Sequence, residues 1–533
     1  MQRIHAQSDG WVAALVLLRE HLSRHGSTLD ELLDKGKDAI FHYFAGVILA
    51  GSRAENQRTL MLTAVPPSIT ASEAVELSGN EEAPRLLEYL YRNHLFTERR
   101  RGDHVTYHYH ALFREFLLEE LRKRTSHDER RAASTRAANL LSARGQHGEA
   151  LALFRDAGDW GSMRSLIRAH APEWARQGRA QALSDWIEAL PLELRERDPW
   201  LLYWFGRAWI FAQPDRGRAA VERAYETFHA AGDVRGEALA LCAIVDSYYF
   251  EWANFSPLDR WLPAFHRLLS EETAKSLDRE SELRARAALL VLLLLRRPND
   301  ADLEPCARRL DELLDGESDL NVRVEAASIL FNYINWNTEG EAASGLMARV
   351  DPIVATPEVS PLTKVTWRTH VSFWHYMNGR YGEATAVMTE ARDVAQRYGL
   401  ETYLFDIDHA EATALINKGE HDAASVRLDE MERRLSPTRR MQWPFYHHLR
   451  SVLEQRLGHA SASLQHAERA ERNITLPSIA SLRVILGRPV SNQQQSHSYP
   501  ELLIRMDMNC AARRAADGAR ESTPSSTSSH SAP

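Results

Sequence analysis

The chain has 533 residues, of which 44% are hydrophobic and 26% charged, and it carries a formal net charge of −8. This length exceeds what a single hydrophobic core supports, so several folding units or a repeat array are expected. The acidic balance excludes a chain-wide basic field of the kind that drives nonspecific nucleic-acid binding. Three widely separated cysteines without CxxC spacing indicate reduced thiols, which favours a cytoplasmic location.

The apolar pattern excludes membrane insertion. The longest apolar run, 287–295, is about half the roughly 20 residues that a transmembrane helix needs. The run therefore predicts a buried helix, and we expect no membrane partner.

The N-terminal part of the chain predicts helices followed by a small hairpin. Residues 1–56 show two amphipathic segments and are expected to be a helical remnant rather than a domain. Helical patterns then cover 58–64, 71–78 and 83–92, and two extended runs follow at 95–97 and 105–109, separated by a turn-prone Arg-Gly-Asp. Three helices and a hairpin predict a winged-helix domain over 57–126.

Residues 127–475 consist of short helical patterns joined by Gly, Asp or Pro. Glycines recur about every 39 or 40 residues, at Gly340, Gly379, Gly419 and Gly458. A small residue stands five positions after each of them, as Ala150 does after Gly145. A glycine that ends one helix and a small residue that lets the next helix pack closely predict a tetratricopeptide-like helical repeat array.

The predicted fold class is therefore all-α, a winged-helix module followed by a tetratricopeptide-like α-solenoid. Stacked helical pairs of this kind bury a continuous core and expose a surface suited to binding. Residues 476–533 end in a stretch dominated by Ser, Thr and Pro, which predicts an irregular to disordered tail.

No motif in the sequence indicates catalysis. The phosphate-loop pattern GxxxxGK[ST], the HExxH and GxSxG patterns and Cys/His sets at zinc spacing are all missing. We therefore expect no enzyme, no catalytic residue and no metal site. His108 and His110 alternate on a predicted strand face and could bind a metal, but the sequence offers no third ligand at close spacing.

Other polar clusters have plain structural interpretations. Arg99–Arg101 at the predicted wing tip could touch DNA phosphates, but acidic residues balance the basic ones across 58–124, which favours a solvated hairpin. Asp406, Asp408 and His409 are predicted to face solvent on a repeat helix, which argues against a cryptic enzyme. His447 and His448 are predicted to lie at the rim of the array.

Three segments resemble one known family. Asp9–Leu15 (DGWVAAL) is similar to the Gly-Trp-Pro segment that follows the ATPase core of the MalT-like group of STAND ATPases, the large LuxR-type bacterial transcriptional activators. Tyr107–Leu117 (YHYHALFREFL) resembles the end of their winged helix. Leu183–Pro191 (LSDWIEALP), with Asp198–Trp200 just after, resembles the start of their helical array. The resemblance covers residues 8–473.

The resemblance implies a nucleotide-sensing role for three residues. His110 matches the winged-helix histidine that senses bound nucleotide, and Gly10 and Trp11 match residues near the adenine, although Val12 replaces the family proline. The phosphate loop and the acidic magnesium motif of the family are missing, as is its C-terminal helix-turn-helix. No cofactor is therefore expected, and ATP or ADP would bind only if a separate ATPase core were supplied.

The resemblance thus implies the signal-sensing portion of a MalT-like transcriptional regulator, with a truncated, split or decaying gene as its expected origin. Its helical array would bind a small-molecule inducer or a protein partner, and ligand would shift the balance between a closed and an open, self-associating form. The alternatives are a stand-alone helical-repeat scaffold and, with less support, a nucleic-acid binder that uses the wing. No direct DNA binding is expected.

Overall fold

A computed structural model of the chain describes residues 46, 49–210, 212–251, 254–337, 340–435 and 442–473. They fall into two compact units. The first comprises the described residues up to Pro172 together with Asp185–Leu194, and the second comprises Glu173–Ser184 together with those from Arg195 onward. Gly10, Trp11, nearly all of the predicted helical remnant and the predicted tail lie outside the described residues.

The predicted fold class is confirmed. The described ranges contain 24 α-helices and a single two-stranded sheet. The winged-helix part consists of α1 (Ala54–Thr63), α2 (Ala71–Ser78), α3 (Ala83–Arg92), β1 (Thr97–Arg101), β2 (Val105–Tyr109) and α4 (Ala111–Arg124). After it come α5 (His127–Ala143), α6 (His147–Asp156), α7 (Trp160–Arg176), α8 (Ala180–Glu188) and α9 (Leu192–Arg197).

The winged helix forms where local signals and apolar burial agree. Thr70 caps α2 in a capping box with Glu73, and Gly79 ends the helix with a φ of 74°. The strands β1 and β2 pair antiparallel, and Ile69 adds an isolated bridge to Tyr107. Leucines of α1, α3 and α4 form the core under this sheet. The second and third helices and the second strand lie where the sequence predicts them. The first helix begins four residues earlier, at Ala54, and the first strand covers Thr97–Arg101 rather than 95–97.

The core of the winged helix extends into the next helix. Ala133 and Ala137 of α5 are fully buried in the same cluster as the winged-helix leucines. Arg144, just after α5, pairs with Glu73 at 2.8 Å and donates to the Ser68 hydroxyl at 2.7 Å. Residues on both sides of position 126 therefore share one core.

The second unit is a solenoid-like array of helices. In chain order it contains α10 (Pro199–Trp209), α11 (Pro214–Ala231), α12 (Val234–Glu251), the 3₁₀ helix η1 (Ser256–Trp261), α13 (Leu262–Leu268), α14 (Glu271–Ala274), α15 (Arg279–Arg296), α16 (Leu303–Leu314), α17 (Leu320–Asn337), α18 (Gly340–Val354), α19 (Pro361–Met377), α20 (Tyr381–Arg397), α21 (Glu401–Lys418), α22 (His421–Arg434), α23 (Gln442–Arg456) and α24 (Ala460–Asn473).

Most consecutive helices of the array pack on one another, and α10, α12, α15, α17, α19, α21 and α23 also pack on one another in that order. These seven helices form a continuous layer. The run 287–295 is buried within α15, as predicted. No described helix is both long enough and apolar enough to cross a membrane. Cys242 and Cys306 are free thiols, and burial raises the pKa of each to about 12.

The structure corrects the predicted repeat register at one position. Gly145, Gly379, Gly419 and Gly458 follow helix ends with φ between 72° and 85°, as predicted. Gly340 is instead the first residue of α18, and Gly345 is exposed. What the repeats share is a buried small residue at the fourth position of a helix: Ala150, Ala343, Ala384, Ala424 and Ser463. The close packing of that residue defines the repeat, whichever residue precedes the helix.

Candidate functional site

His110 lies at the corner where the wing meets α4. It is the N-cap of α4 and is exposed, and its backbone N–H donates to the Phe96 carbonyl at 2.7 Å. Phe96 has a φ of 51°, unusual for a residue with a side chain, and its ring stacks on Phe113 with centroids 5.0 Å apart. Packing thus fixes the backbone around His110 and leaves its side chain at the surface of the module.

The predicted strand face of histidines is wrong at one residue. His108 lies in β2, where its Nε2 is 3.0 Å from the Thr106 hydroxyl, but His110 lies beyond the strand end. No group of three or more His, Cys, Asp or Glu residues suited to a metal occurs among the described residues.

The wing arginines are committed to acidic neighbours. Arg99 lies in β1 rather than at the hairpin tip, pairs with Glu88 at 3.1 Å, and covers the Tyr91 ring at 4.3 Å. Arg100 pairs with Glu98 at 3.0 Å. Two of the three arginines are therefore paired with carboxylates of the module itself.

A row of polar contacts crosses the layer of seven helices in the second unit. Arg207 of α10 pairs with Asp246 of α12. Arg284 of α15 pairs with Glu325 of α17 at 3.4 Å. Further along, Asn332 of α17 lies 3.2 Å from His370 of α19, and the rings of His409 (α21) and Phe445 (α23) are 5.2 Å apart. We call the face that carries these residues, together with Tyr203, Tyr249 and Asp406, the inner cleft.

We infer from partial exposure and shielding together that this face is concave. The side chains of Arg207 and Glu325 are 27% and 49% exposed, so water reaches both. Burial nevertheless raises the pKa of the Glu325 carboxyl. The pKa of Tyr249 rises to about 12 through burial and then through the charge of Asp406, which belongs to a helix far along the chain. Accessible groups that are shielded, and that sense charges on distant helices, line a cleft.

The two halves of the inner cleft differ in composition: ion pairs line the first half, whereas imidazoles and an amide lie beside Asp406 in the second. From α10 to the start of α17 it presents Arg207, Asp246, Arg284 and Glu325, which alternate in sign. Beyond them, His370 donates from Nδ1 to the Thr366 carbonyl at 2.8 Å, which leaves Nε2 facing Asn332. Burial lowers the pKa of His370 and lowers that of His409 to about 4. Both imidazoles are therefore uncharged at neutral pH.

One residue in each of two groups predicted to lie at the surface is buried instead. Asp408 is fully buried and accepts from Arg392 at 2.6 Å, while Glu411 accepts from the same guanidinium at 2.7 Å. Arg434 also pairs with Asp408. His447 is 6% exposed, and its Nδ1 lies 3.0 Å from Nδ1 of His466, so it is not a rim residue. Solvent exposure is confirmed for Asp406 alone of the predicted acid pair.

The sequence analysis did not predict the ion pairs in the first half of the cleft, although their spacing in the sequence is regular. Residues of alternating sign occur at 207, 246, 284 and 325, at intervals of 39, 38 and 41 residues. Those intervals match the repeat length, so each charge falls on the equivalent face of successive helices of the layer. A search for charge at the repeat interval would have found them.

The comparison with known families concerns the first unit. Residues 45–130 match the sequence profile of the MalT winged helix domain. No curated protein sequence matches the chain significantly. The chain therefore contains a MalT-like winged-helix region, and this match includes His110 and the wing.

Proposed function

We propose that this chain, whose residues 45–130 form a MalT-like winged helix, is the signal-sensing and interaction portion of a MalT-like transcriptional regulator of the bacterial STAND and LuxR-type group. Its helical array, of the tetratricopeptide type, takes up a small-molecule inducer or a protein partner. The inner cleft carries this proposal, because a shielded but accessible face with fixed polar groups suits a binding site.

The winged helix contributes a second input in this proposal. His110 is exposed at the corner of the wing on a backbone held by Phe96 and Phe113, which suits contact with a nucleotide on an ATPase core. ATP or ADP would then act only with such a core present. We propose no catalysis by the chain itself, a cytoplasmic location, and self-association as the output of inducer binding.

The test of the cleft uses a matched pair of double variants. Arg284→Met/Glu325→Met removes one cleft ion pair without leaving a lone charge, and Arg308→Met/Glu304→Met removes an exposed pair at 2.7 Å on α16. Small polar metabolites are screened by thermal shift on the unmodified chain. A ligand that raises the Tm is expected to lose its effect in the cleft variant and keep it in the α16 variant. Equal shifts in both variants would place the ligand elsewhere.

The test of the winged-helix input is calorimetry with ATP and ADP on the purified chain and on His110→Ala. We expect no micromolar binding to either. Binding that is lost in the variant would instead show that the winged helix retains a nucleotide site of its own.

The alternative is a stand-alone helical-repeat scaffold, favoured by the extent of the array. That function predicts that no small molecule raises the Tm through the cleft pair. Nucleic-acid binding through the wing has less support, because Arg99 and Arg100 form ion pairs with Glu88 and Glu98. It predicts affinity that falls steeply with salt, which a mobility shift at two salt concentrations would detect.

A further inference from the structure

The ion pair between Arg284 and Glu325 in the inner cleft keeps hydrogen-bonding groups that the protein does not use. Arg284 donates from Nε to Glu280 at 3.2 Å and from Nη1 to Oε2 of Glu325 at 3.4 Å. Nη2 of Arg284 and Oε1 of Glu325 make no hydrogen bond to any residue that the structure describes. A charged donor and a charged acceptor therefore lie side by side with bonding capacity left.

Water reaches both members of this pair, and the contact between them is loose. The side chain of Arg284 is about a third exposed and that of Glu325 about half exposed. Hydrogen bonds between a guanidinium and a carboxylate are usually about 2.7–2.9 Å long, so the contact at 3.4 Å is a long one. Arg207 and Asp246 are in closer contact in the same half of the cleft. Of the two cleft pairs, Arg284–Glu325 is the one that a ligand can enter more easily.

The two ion pairs lie in one region of the cleft. The four helices that carry them, α10, α12, α15 and α17, pack on one another in that order. Burial raises the pKa of the Tyr203 hydroxyl, and the charges of Arg207 and Arg284 both act to lower it. Because one hydroxyl senses both arginines, the four charges surround a single site.

The arginines compensate Glu325 only in part. Burial raises the pKa of its carboxyl, although the charges of Arg284 and Arg207 act to lower it. Arg284 also pairs with Glu280 at 3.2 Å, so one guanidinium is shared by two carboxylates. A positively charged ligand group beside Oε1 of Glu325 would supply the missing compensation.

A ligand with both charges fits this arrangement better than a ligand with one. A singly charged ligand pairs with one of the two residues and competes with the other, which leaves a shielded charge with less compensation. A ligand that carries a carboxylate and an ammonium group compensates both residues at once. The nearest atoms of Arg284 and Glu325 are 3.4 Å apart, so the two ligand charges must also lie close together.

We propose that Arg284 and Glu325 recognise a zwitterion that carries its ammonium and carboxylate groups on one carbon atom, an α-amino acid. The ligand carboxylate accepts from Nη2 of Arg284, and the ligand ammonium group donates to Oε1 of Glu325. This inference rests on the proposed function, because it takes the inner cleft as the binding face and names the chemical class of the inducer.

The experiment begins with a thermal-shift screen of the common α-amino acids on the full chain at neutral pH. We expect at least one of them to raise the Tm. The affinity of that amino acid is then measured by calorimetry and compared with the affinities of its carboxamide, its N-acetyl derivative and ε-aminocaproate, whose two charges lie far apart. Each of the three should bind at least about tenfold more weakly, the change expected for the loss of one charged hydrogen bond.

Two single variants and one control separate recognition from folding. Glu325→Gln should weaken the amino acid about tenfold and bind the N-acetyl derivative at least as tightly as the unmodified chain does. Arg284→Met should weaken the amino acid but not its carboxamide. A variant that only disturbs the fold would weaken every probe. Glu304→Gln breaks the exposed pair with Arg308 on α16 and should bind all of them like the unmodified chain.

The inference is overturned if no amino acid binds, or if the carboxamide or the N-acetyl derivative binds as tightly as the amino acid. It is also overturned if Glu325→Gln and Arg284→Met bind the amino acid like Glu304→Gln. A metabolite of another class that raises the Tm through the cleft pair would support the proposed function and contradict this inference, so the two can fail separately.

Discussion

The helical array contains two sets of ion pairs that differ in their access to water. In the inner cleft, Arg284 and Glu325 are 3.4 Å apart and remain about a third and a half exposed. Between α20 and α21, Arg392 contacts the carboxyls of Asp408 and Glu411 at 2.6 and 2.7 Å, and all three residues are buried. The same residue types therefore serve in one place as a hydrated lining and in the other as part of the interior.

The difference shows what each set can do. A hydrated ion pair contributes little to stability, so a ligand can replace the bond between its two partners with only a small loss of free energy. A buried network is costly to break, because removal of one partner leaves a charge without compensation. The Arg392 network also lies between two apolar clusters, one around Met388 and Ile407 and the other around Leu415 and Leu428. We infer that it sets the register between neighbouring repeats, whereas the cleft pairs prepare a binding surface.

The largest effect is expected from Arg392→Met. This change leaves Asp408 and Glu411 buried without their shared guanidinium, and it should lower the free energy of unfolding by about 3–5 kcal/mol. Urea unfolding followed by circular dichroism measures the loss. A decrease below about 1 kcal/mol would show that Arg427 and Arg434 replace Arg392, and the contrast between the two sets would fail.

His409→Gln should alter the pH dependence of stability. The pKa of His409 is lowered to about 4 by burial, so the unfolded state binds its proton more readily than the native state does. Above pH 6.5 the histidine therefore does not lower the free energy of unfolding. As the pH falls from 6.5 towards 4, it lowers that free energy by a growing amount. At pH 5 it should remove about 2 kcal/mol of stability, which the glutamine variant retains.

Urea unfolding at pH 7.5 and pH 5 measures this difference, and His127→Gln, at an exposed histidine of α5, serves as the matched control. Parallel losses in His409→Gln and in the unmodified chain would show that His409 is hydrated in the cleft.

A smaller effect is expected when the buried network is replaced as a whole. Arg392→Met/Asp408→Leu/Glu411→Met removes the buried charges together, and Arg427 and Arg434, each 27% exposed, can turn to solvent. Stability should stay within about 1 kcal/mol of the unmodified chain, because apolar residues can replace a buried network without loss. Urea unfolding again gives the value. A loss as large as that of Arg392→Met would mean that the network makes a net contribution to the stability of the array, in addition to setting the register between repeats.

The smallest effect is expected from Arg284→Met. The pair with Glu325 is open to water, so the free energy of unfolding should change by less than about 1 kcal/mol. A loss comparable to that of Arg392→Met, measured under the same conditions, would show that the cleft pair is an interior pair. The comparison that underlies the proposed binding face would then be wrong.

Particular residues show how far the sequence could be interpreted. The helix at 71–78 and the second hairpin strand at 105–109 are set by local signals and lie as predicted, whereas the first strand is shifted to Thr97–Arg101. The repeat glycines were identified, but Gly340 was misassigned because a glycine is compatible with either end of a helix. His110 was identified through the family resemblance, and the structure adds the Phe96 and Phe113 contacts that hold its backbone. Its nucleotide role remains a prediction.

By itself the sequence determined the all-α class, the winged helix and the succession of helices in the array. These features depend on apolar periodicity, caps and turns, which act over a few residues. Only the tertiary structure decided which polar residues meet. Asp408 and His409 are adjacent on α21, yet one is buried in an arginine network and the other lines the inner cleft. The sides of a helix face different neighbours, and those neighbours come from repeats some forty residues away. A local sequence pattern therefore cannot predict which side of the helix is exposed to water.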